Sequence, residues 1–325
     1  MKIEIHDVGH GGCALVTCPN GAGIMLDCGL RTDPAWFPSV SCMGEYINLL
    51  VLQNLDEDHV EDLPYVWDKV RLGAIYSNPT VTAAALAAMK REQGMNEGVR
   101  HVHAILNRFR PGLIGARPNL GDVRAWAYTN RYGIDFNDTN NLSVATFIGW
   151  GSFTILFAGD LETKGWQALL RIPDFVADLA TVTVLVASHH GRANGCCDEV
   201  FKIVRPEIVI FSDDTKQYET QETDGWYRQR VRGIPDFDST PDPIFGFKKR
   251  HVLTTRRDGT MIIQVSSSGG YMVTRARREP AGPSIGLLDW LDRSAASKRS
   301  PDGAEAKSGL PLCGALPVLH DFRGP

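Results

Sequence analysis

Residues 47–63 read "INLLVLQNLDEDHVEDL" and join two segments of opposite character. The first part, "INLLVLQ", is an apolar run of strand length, which is typical of a strand that is covered on both faces. The second part places three acids and a histidine directly after this strand, at Asp56, Glu57, Asp58 and His59. A rigid strand fixes the direction of the side chains in the loop that follows it, so this turn is a candidate functional site.

The composition is that of a globular protein. The chain has 325 residues, of which 43% are hydrophobic, and this is enough for one large core or two modest ones. The net charge is −4 with acids and bases well mixed, so the overall charge does not indicate binding to a polyanion. No window approaches the ~18 apolar residues that a bilayer span requires, and the start "MKIEIHDVGHGG" lacks the pattern of a signal peptide. We therefore expect a soluble, cytoplasmic protein that does not contact a membrane.

Cysteine usage excludes two further classes of protein. The seven cysteines are odd in number and irregularly spaced, which argues against a disulfide framework. The adjacent pair Cys196 and Cys197 cannot easily present both sulfurs to one tetrahedral metal ion, so a zinc knuckle is not expected either. Reduced thiols are the prediction.

Strand-like and helix-like segments alternate along most of the chain. The segments "LSVATFIGW" and "SFTILFAG" predict a hairpin around Gly149 to Gly151, and a helix is expected to begin at Thr80 or Thr82 and to end at Gly94. The irregular stretch 94–121 is interpreted as a long surface loop, and 216–247 as an ordered insertion or lid. Strands that alternate with helices and then pair in hairpins indicate an α/β sandwich, in which mixed sheets lie between helical layers.

The domain organisation follows from a change in composition near residue 274. Residues 1–274 carry the regular strand and helix patterns and are expected to form one domain. Residues 275–325 are rich in proline, serine, glycine and charge, and they have the low hydrophobicity of a disordered tail.

Metal-binding residue types occur in several loops that adjoin strands. A divalent ion needs deprotonated oxygens or neutral imidazoles from different segments, and Asp58, His59, Asp160 and either His189 or His190 could supply them. Taken singly, each has a simpler interpretation: a solvated acidic turn, a helix cap at Asp160, or a core histidine. Acids brought together without a cation would repel one another and raise their pKa values, whereas a bound ion removes that penalty.

Five motifs resemble, in order and spacing, those of the metallo-β-lactamase fold. Within that superfamily they most resemble the soluble hydrolase domain of ComEC-type competence proteins. The resemblance implies an α/β fold, a four-layer αββα sandwich of two mixed β-sheets flanked by helices. The motifs are "DVGHGG" (7–12), "GIMLDCG" (23–29), "NLDEDHVEDL" (54–63), "NNLSVATFIGWGSFTILFAGDLE" (140–162) and "VLVASHHGRAN" (184–194).

The resemblance assigns one complete metal site. Asp58 and His59 match the pair that holds one ion, and Asp160 matches the carboxylate that bridges two ions. A histidine of "HHG" would complete the first site. His189 is favoured for this position, with His190 as a second ligand or a proton donor.

The resemblance also assigns a second, weaker site. Asn54 and Asp56 stand where the family holds its other ion, and the segment 140–143 stands where that site's third ligand would come from. Asp7 and Asp27 would orient the ligands.

Two departures from the family pattern bear on the metal. Asn54 replaces a histidine, and "GHGG" at 9–12 has lost an acid and gained His10, which could compensate for Asn54. The resulting oxygen-rich ligands suit manganese or magnesium better than zinc. We therefore expect one or two divalent metal ions, Mn2+ or Zn2+, with Mg2+ as a further candidate.

The function implied is a metal-dependent hydrolase, a phosphodiesterase or nuclease that uses a metal-bound hydroxide, with Asp58, Asp160 and His190 as catalytic residues. Single-stranded nucleic acid or a nucleotide is the expected partner. Basic stripes at 228–232 and 247–251 would suit it, and neighbouring aromatic residues could stack on bases or belong to the core. These aromatic residues are Trp226, Tyr227, Phe245 and Phe247.

Two alternatives remain open at this point. The same chemistry would hydrolyse a small ester, lactam or thioester. Alternatively, Asn54 and Gly12 mark a degenerate site, which would leave a non-catalytic binding or regulatory module that works with a protein partner.

Overall fold

The computed structural model describes residues 1–215, 222–236 and 247–276. The strands of this part of the chain are, in order, β1 (Lys2–Ile5), β2 (Ala14–Thr17), β3 (Gly23–Leu26), β4 (Arg31–Thr32), β5 (Ala35–Trp36), β6 (Tyr46–Ile47), β7 (Leu49–Val51), β8 (Arg71–Leu72), β9 (Ala74–Tyr76), β10 (Leu113–Gly115), β11 (Arg124–Thr129), β12 (Val144–Trp150), β13 (Phe153–Phe157), β14 (Val184–Val186), β15 (Ile208–Phe211), β16 (Ile234–Pro235), β17 (Lys249–Arg250), β18 (Val252–Thr254), β19 (Met261–Val265) and β20 (Tyr271–Arg275).

Helices follow many of these strands. They are α1 (Pro38–Ser41), α2 (Glu57–Val60), α3 (Leu63–Lys69), α4 (Ala83–Met89), α5 (Glu97–Arg108), α6 (Thr163–Leu169), α7 (Pro173–Leu179), α8 (Asp198–Ile203), α9 (Asp224–Arg228) and α10 (Thr255–Asp258), with short 3₁₀ turns at Ser188–Gly191 and Ala193–Gly195.

Two large sheets dominate the fold. The first has eight strands in the order β10-β9-β7-β3-β2-β1-β19-β20, and the second has six in the order β11-β12-β13-β14-β15-β18. In the first sheet, β3, β7 and β9 run parallel. In the second, β13, β14, β15 and β18 run parallel. The other neighbours in both sheets are antiparallel, so both sheets are mixed.

Side chains point alternately to the two faces of each sheet, and both faces are covered, which gives the fold four layers. In β3, Ile24 and Leu26 pack into the core between the sheets, whereas Met25 packs outward with the residues of α3, α4 and α5. In β14, Val184 faces the inner core and Leu185 faces α6, α7 and α8. Successive side chains of a strand point to opposite faces, so each sheet is covered on both sides. The predicted four-layer αββα sandwich is confirmed.

The interpretation of 94–121 as a loop is wrong. Helix α5 takes up 12 of its 28 residues, and β10 adds three more. Asn96 caps the helix by accepting a hydrogen bond from the Val99 backbone N–H at 2.8 Å. Val99, Val102 and Ile105 recur at helical spacing and are buried against the first sheet's outer layer.

Two local predictions are confirmed, one of them only in part. Strands β12 and β13 form an antiparallel hairpin around Gly151, whose φ of 60° is readily adopted by glycine. Helix α4 begins after Thr82, whose side chain accepts a hydrogen bond from the Ala85 N–H at 3.2 Å. The helix ends before Lys90, four residues earlier than the predicted end at Gly94.

Several predictions concern residues outside the described ranges. The proposed tail lies almost entirely beyond residue 276, and much of the proposed lid lies in 216–221 and 237–246. The division at residue 274 therefore stays a prediction. Among the described residues, no helix is long and apolar enough to cross a membrane. The six cysteines within those residues are unpaired.

The parallel strands bring the functional loops to one edge of the sandwich. The residues that follow β3, β7, β13, β14 and β15 all leave the carboxyl ends of strands. Such ends gather the ligand-binding loops of α/β sheets. Helix α2, which carries Asp58 and His59, follows β7 and packs against α5.

Close packing between α5 and α2 generates a prediction. A Cβ at Gly98 would overlap the backbone oxygen of Val60, directly after His59. We expect Gly98→Ala to lower the free energy of unfolding by about 1–3 kcal/mol, because the backbones must separate. The matched control is Gly225→Ala in α9, where a Cβ meets nothing within 4 Å. Urea denaturation measures both, and equal stability of the two variants would contradict the packing described.

Candidate metal centre

Four side chains from three segments of the chain converge at this edge of the sandwich. Asp58, His59, Asp160 and His190 each offer an atom that can bind a metal ion, and these atoms all lie within 4.8 Å of one another. Asp58 and His59 come from α2, Asp160 follows β13 and His190 follows β14. Three of the four residues are buried, and Asp58 is partly exposed. The arrangement has the two residue types, imidazole and carboxylate, that hold divalent ions in proteins.

The side chain of Asp160 belongs to this site and not to the following helix. Helix α6 begins after Glu162, and the side chain that accepts hydrogen bonds from its first turn is that of Asn141, which is bonded by the N–H groups of Glu162 and Gly165. The backbone N–H of Asp160 donates to Ser143 Oγ at 2.9 Å, which fixes the loop after β13. The alternative of Asp160 as a helix cap is therefore not realised.

A left-handed turn orients the two histidines of "HHG". His189 has φ 49° and His190 has φ 55°, and Gly191 continues the turn with φ 78°. Non-glycine residues in this region are strained by about 1–3 kcal/mol each, a cost that is found mainly at functional sites. The backbone N–H of His189 donates to the oxygen of Gly159 at 3.0 Å and so ties the turn to the Asp160 loop.

Hydrogen bonds select the protonated nitrogen in each ring. His190 Nδ1 lies 2.8 Å from the backbone oxygen of Ser212, which can only accept, so Nδ1 donates. His59 Nδ1 lies 2.8 Å from Asp27 Oδ2. When the rings are neutral, both Nε2 atoms therefore carry lone pairs, as metal-binding histidines require. These atoms face Asp160 Oδ1, at 3.2 Å from His59 and 3.5 Å from His190.

The atoms at the centre of the site lack hydrogen-bond partners. His59 Nε2, His190 Nε2 and Asp160 Oδ1 are buried and make no hydrogen bond. Each buried, unsatisfied polar atom costs about 1–3 kcal/mol. A divalent ion among them would accept all three lone pairs, with Asp58 Oδ2, which lies 3.3 Å from His190 Nε2, as the fourth ligand. The residues present thus fit a metal ion.

The electrostatics of the site point the same way. Burial alone raises the pKa of Asp58 and of Asp160, but the charges of His59 and His190 outweigh it and hold both pKa values below the usual range. Burial lowers the pKa of His59 and of His190, and the surrounding carboxylates reverse this and raise both. The carboxylates therefore stabilise positive charge at the centre of the site. Binding of a cation supplies it and releases the ring protons.

Asp27 contacts one of the four metal-binding residues, His59, whereas Asp7 contacts none of them. Asp27 holds His59 through Oδ2, and its Oδ1 accepts a hydrogen bond from the Gln53 N–H at 2.6 Å. Burial raises the pKa of Asp27, and the His59 contact opposes this shift. Asp7 forms an ion pair with Arg31 at 2.5 Å instead.

His190 takes the position for which the sequence favoured His189. The His189 ring lies outside the group of four, and its Nδ1 is 3.9 Å from Glu162 Oε1. The left-handed backbone explains the exchange, because it directs the second histidine toward Asp160 and the first toward Glu162.

At the predicted second metal site, the structure departs further from the sequence-based prediction. Asp56, expected as a metal ligand, forms an ion pair with Lys90 and accepts a hydrogen bond from Thr139 at 2.7 Å. Asn54 donates to Asn140 Oδ1 at 3.3 Å. The side chains of Asp56 and Asn54 are therefore engaged by other residues, and they do not join the four metal-binding residues. The His10 ring lies 6.3 Å from that of His190 and is likewise outside the group.

Part of the basic and aromatic stripe is structural, whereas Arg228, Arg232, Lys248 and Lys249 are exposed. Arg230 pairs with Asp198 at 2.6 Å and stacks on Trp226 at 4.0 Å, while Tyr227 is buried in the core. Phe247 is 49% exposed, and Phe245 lies outside the described residues.

Two contacts of this region were not predicted from the sequence, namely the ion pair of Lys90 with Asp56 and the hydrogen bond that the Ser212 backbone oxygen accepts from His190. Neither contact has a local sequence signal.

Comparisons with known proteins give a likeness to solved structures only. No family model and no curated protein matches the chain. A mutant of the CmlA β-hydroxylase is similar with a TM-score of 0.43 and 12% identity, over 70% of this chain and 50% of that one, so this chain spans about half its length. A metallo-β-lactamase from Cronobacter sakazakii has a TM-score of 0.32 and 14% identity, over 54% of this chain and 66% of that one. A diphosphatase of the PhnP family has a TM-score of 0.39 and 11% identity, over 79% and 96%.

The contrast between Asp27 and Asp7 generates a prediction. We expect Asp27→Asn to weaken the binding of Mn2+ or Zn2+ by about 10- to 100-fold, because the carboxylate that orients His59 is lost. Asparagine tolerates the left-handed φ of 60° at this position, so the fold should persist. Asp7→Asn is the control and should leave the affinity unchanged. Isothermal titration measures both, and equal affinities in the two variants would remove Asp27 from the site.

Proposed function

We propose that the protein is a metal-dependent hydrolase that holds a divalent ion with Asp58, His59, Asp160 and His190. The observation that carries this proposal is the set of buried atoms without hydrogen-bond partners, His59 Nε2, His190 Nε2 and Asp160 Oδ1, all facing one point. Mn2+, Zn2+ and Mg2+ are the candidate ions, since the ligands mix two imidazoles with two carboxylates.

The chain's own residues divide the work of the site. When bound, a divalent ion lowers the pKa of a water ligand and neutralises negative charge that develops on the substrate. Asp27 and the Ser212 backbone hold the two imidazoles in the tautomer that can bind it. The side chain of Asp58 is 37% exposed, against 5% for Asp160, so its carboxylate is the one that can accept a hydrogen bond from entering water and orient it.

A phosphodiester is the proposed substrate, in single-stranded nucleic acid or a nucleotide. The likeness of the sequence motifs to ComEC-type proteins favours this class, and Arg192 supports it. Arg192 follows "HHG" and is half-buried, and its Nε is buried without a hydrogen-bond partner. Burial lowers the pKa values of His10 and His189, and the nearby positive charge of Arg192 adds to this. Guanidinium groups bind phosphate oxygens in bidentate fashion, so Arg192 would hold the substrate beside the metal ion.

A comparison of substrate classes tests this function. With Mn2+, we expect the 325-residue chain to cleave bis(p-nitrophenyl) phosphate and single-stranded oligonucleotides. We expect Asp160→Asn to lower kcat/KM by about 100-fold or more, because charge stabilisation is lost. Asp122→Asn, which changes an exposed carboxylate, is the control. Turnover of only p-nitrophenyl acetate or a lactam would favour the small-ester alternative. No turnover of any class would favour a binding module, and cleavage that survives Asp160→Asn would place the activity elsewhere.

Arg192 provides a separate prediction about the substrate. We expect Arg192→Gln to raise KM for the phosphodiester by about 10-fold or more, because a hydrogen bond to a charged group contributes about 1.5–3 kcal/mol. A change at the exposed Arg257 to glutamine should leave KM unchanged. The measurement is the KM of both variants, with p-nitrophenyl acetate as a neutral substrate that should not respond. An unchanged KM in Arg192→Gln would remove this residue from the proposed substrate site.

A further inference from the structure

A buried lysine pairs with the turn that precedes Asp58 and His59. Lys90 follows helix α4, and only 7% of its side chain is exposed. Its ammonium group forms an ion pair with Asp56, two residues before Asp58. An ammonium group is not stable in a protein interior unless it is paired, so this contact fixes both side chains.

Both carboxylate oxygens of Asp56 already accept hydrogen bonds. Lys90 binds Oδ1, and the Thr139 hydroxyl donates to Oδ2 at 2.7 Å. The backbone N–H of Asp56 donates to Asn54 Oδ1 at 3.0 Å, which holds the turn. A divalent ion at Asp56 would therefore have to compete with a buried ammonium group for the same carboxylate.

Neutral amides complete this group of residues and connect it to the Asp160 loop. Asn54 donates to Asn140, and Asn140 Nδ2 lies 3.4 Å from Oε1 of Glu162, two residues after Asp160. We call Asn54, Asp56, Lys90, Thr139 and Asn140 the lysine cluster. Its one carboxylate is matched by its one ammonium group, so the cluster has no net charge left to attract a cation.

We infer that the Lys90 ammonium group stands in for a second divalent ion, so that the protein binds one ion per chain. This inference rests on the proposed metal centre at Asp58, His59, Asp160 and His190, and it adds the number of ions and a role for Lys90. The ion pair also ties the turn before α2 to the end of α4. Lys90 is therefore a positioning residue for Asp58 and His59, which follow in that turn.

Metal stoichiometry tests this inference. The 325-residue chain is stripped of metal with a chelator and titrated with Mn2+ by calorimetry, and bound metal is counted after gel filtration. We expect one equivalent for the wild type. The double variant Lys90→Met/Asn54→His frees Asp56 and adds an imidazole, so we expect a second equivalent. Asn54→His alone is the matched control, and it should bind one equivalent because Lys90 still neutralises Asp56.

The outcomes separate this inference from the proposed function. Two equivalents in the wild type or in Asn54→His, with Lys90 present, would overturn the inference and leave the metal centre intact. A folded double variant that binds only one equivalent would also overturn it. If the double variant does not fold, the wild type and Asn54→His still decide. No bound metal in the wild type would overturn the metal centre itself, and the role of Lys90 with it.

Discussion

The site depends on one electrostatic constraint: the Asp160 carboxylate is buried against two imidazole rings. His59 Nε2 and His190 Nε2 face the same oxygen, Oδ1, and no hydrogen bond joins them. Positive charge must lie at this point, either as protons on the rings or as a cation among the ligands. The rest of the structure serves to hold these atoms together, because each comes from a different strand end and could otherwise turn to solvent.

The four layers explain how the fold withstands this constraint. Strands β3, β7, β13 and β14 are buried on both faces, so their carboxyl ends cannot shift without disturbing two packed layers. The Asp27 loop, the Asp58 turn, the Asp160 loop and the left-handed "HHG" turn all leave those ends. Strain at His189 and His190 is tolerated for the same reason, since the surrounding packing determines their backbone.

The sequence was sufficient for the sandwich and for the segments that form the site. Strongly apolar strands predict buried layers, and ordered motifs identify the loops. Three features were beyond it. The choice of His190 over His189 depends on a left-handed turn, which adjacent histidines do not encode visibly. Helix α5 has many polar residues, and only Asn96 and the spacing from Val99 to Ile105 reveal it. The pairing of Lys90 with Asp56 joins residues 34 positions apart, so no local pattern shows it.

The metal centre can be tested by a crystal structure of the 325-residue chain soaked in Mn2+ or Zn2+, with anomalous diffraction collected at the metal absorption edge. We expect an anomalous peak about 2.0–2.2 Å from His59 Nε2, His190 Nε2 and a carboxylate oxygen of Asp160. A peak bound by His189 or by Asp56, or the absence of any peak between the two imidazoles, would contradict this expectation.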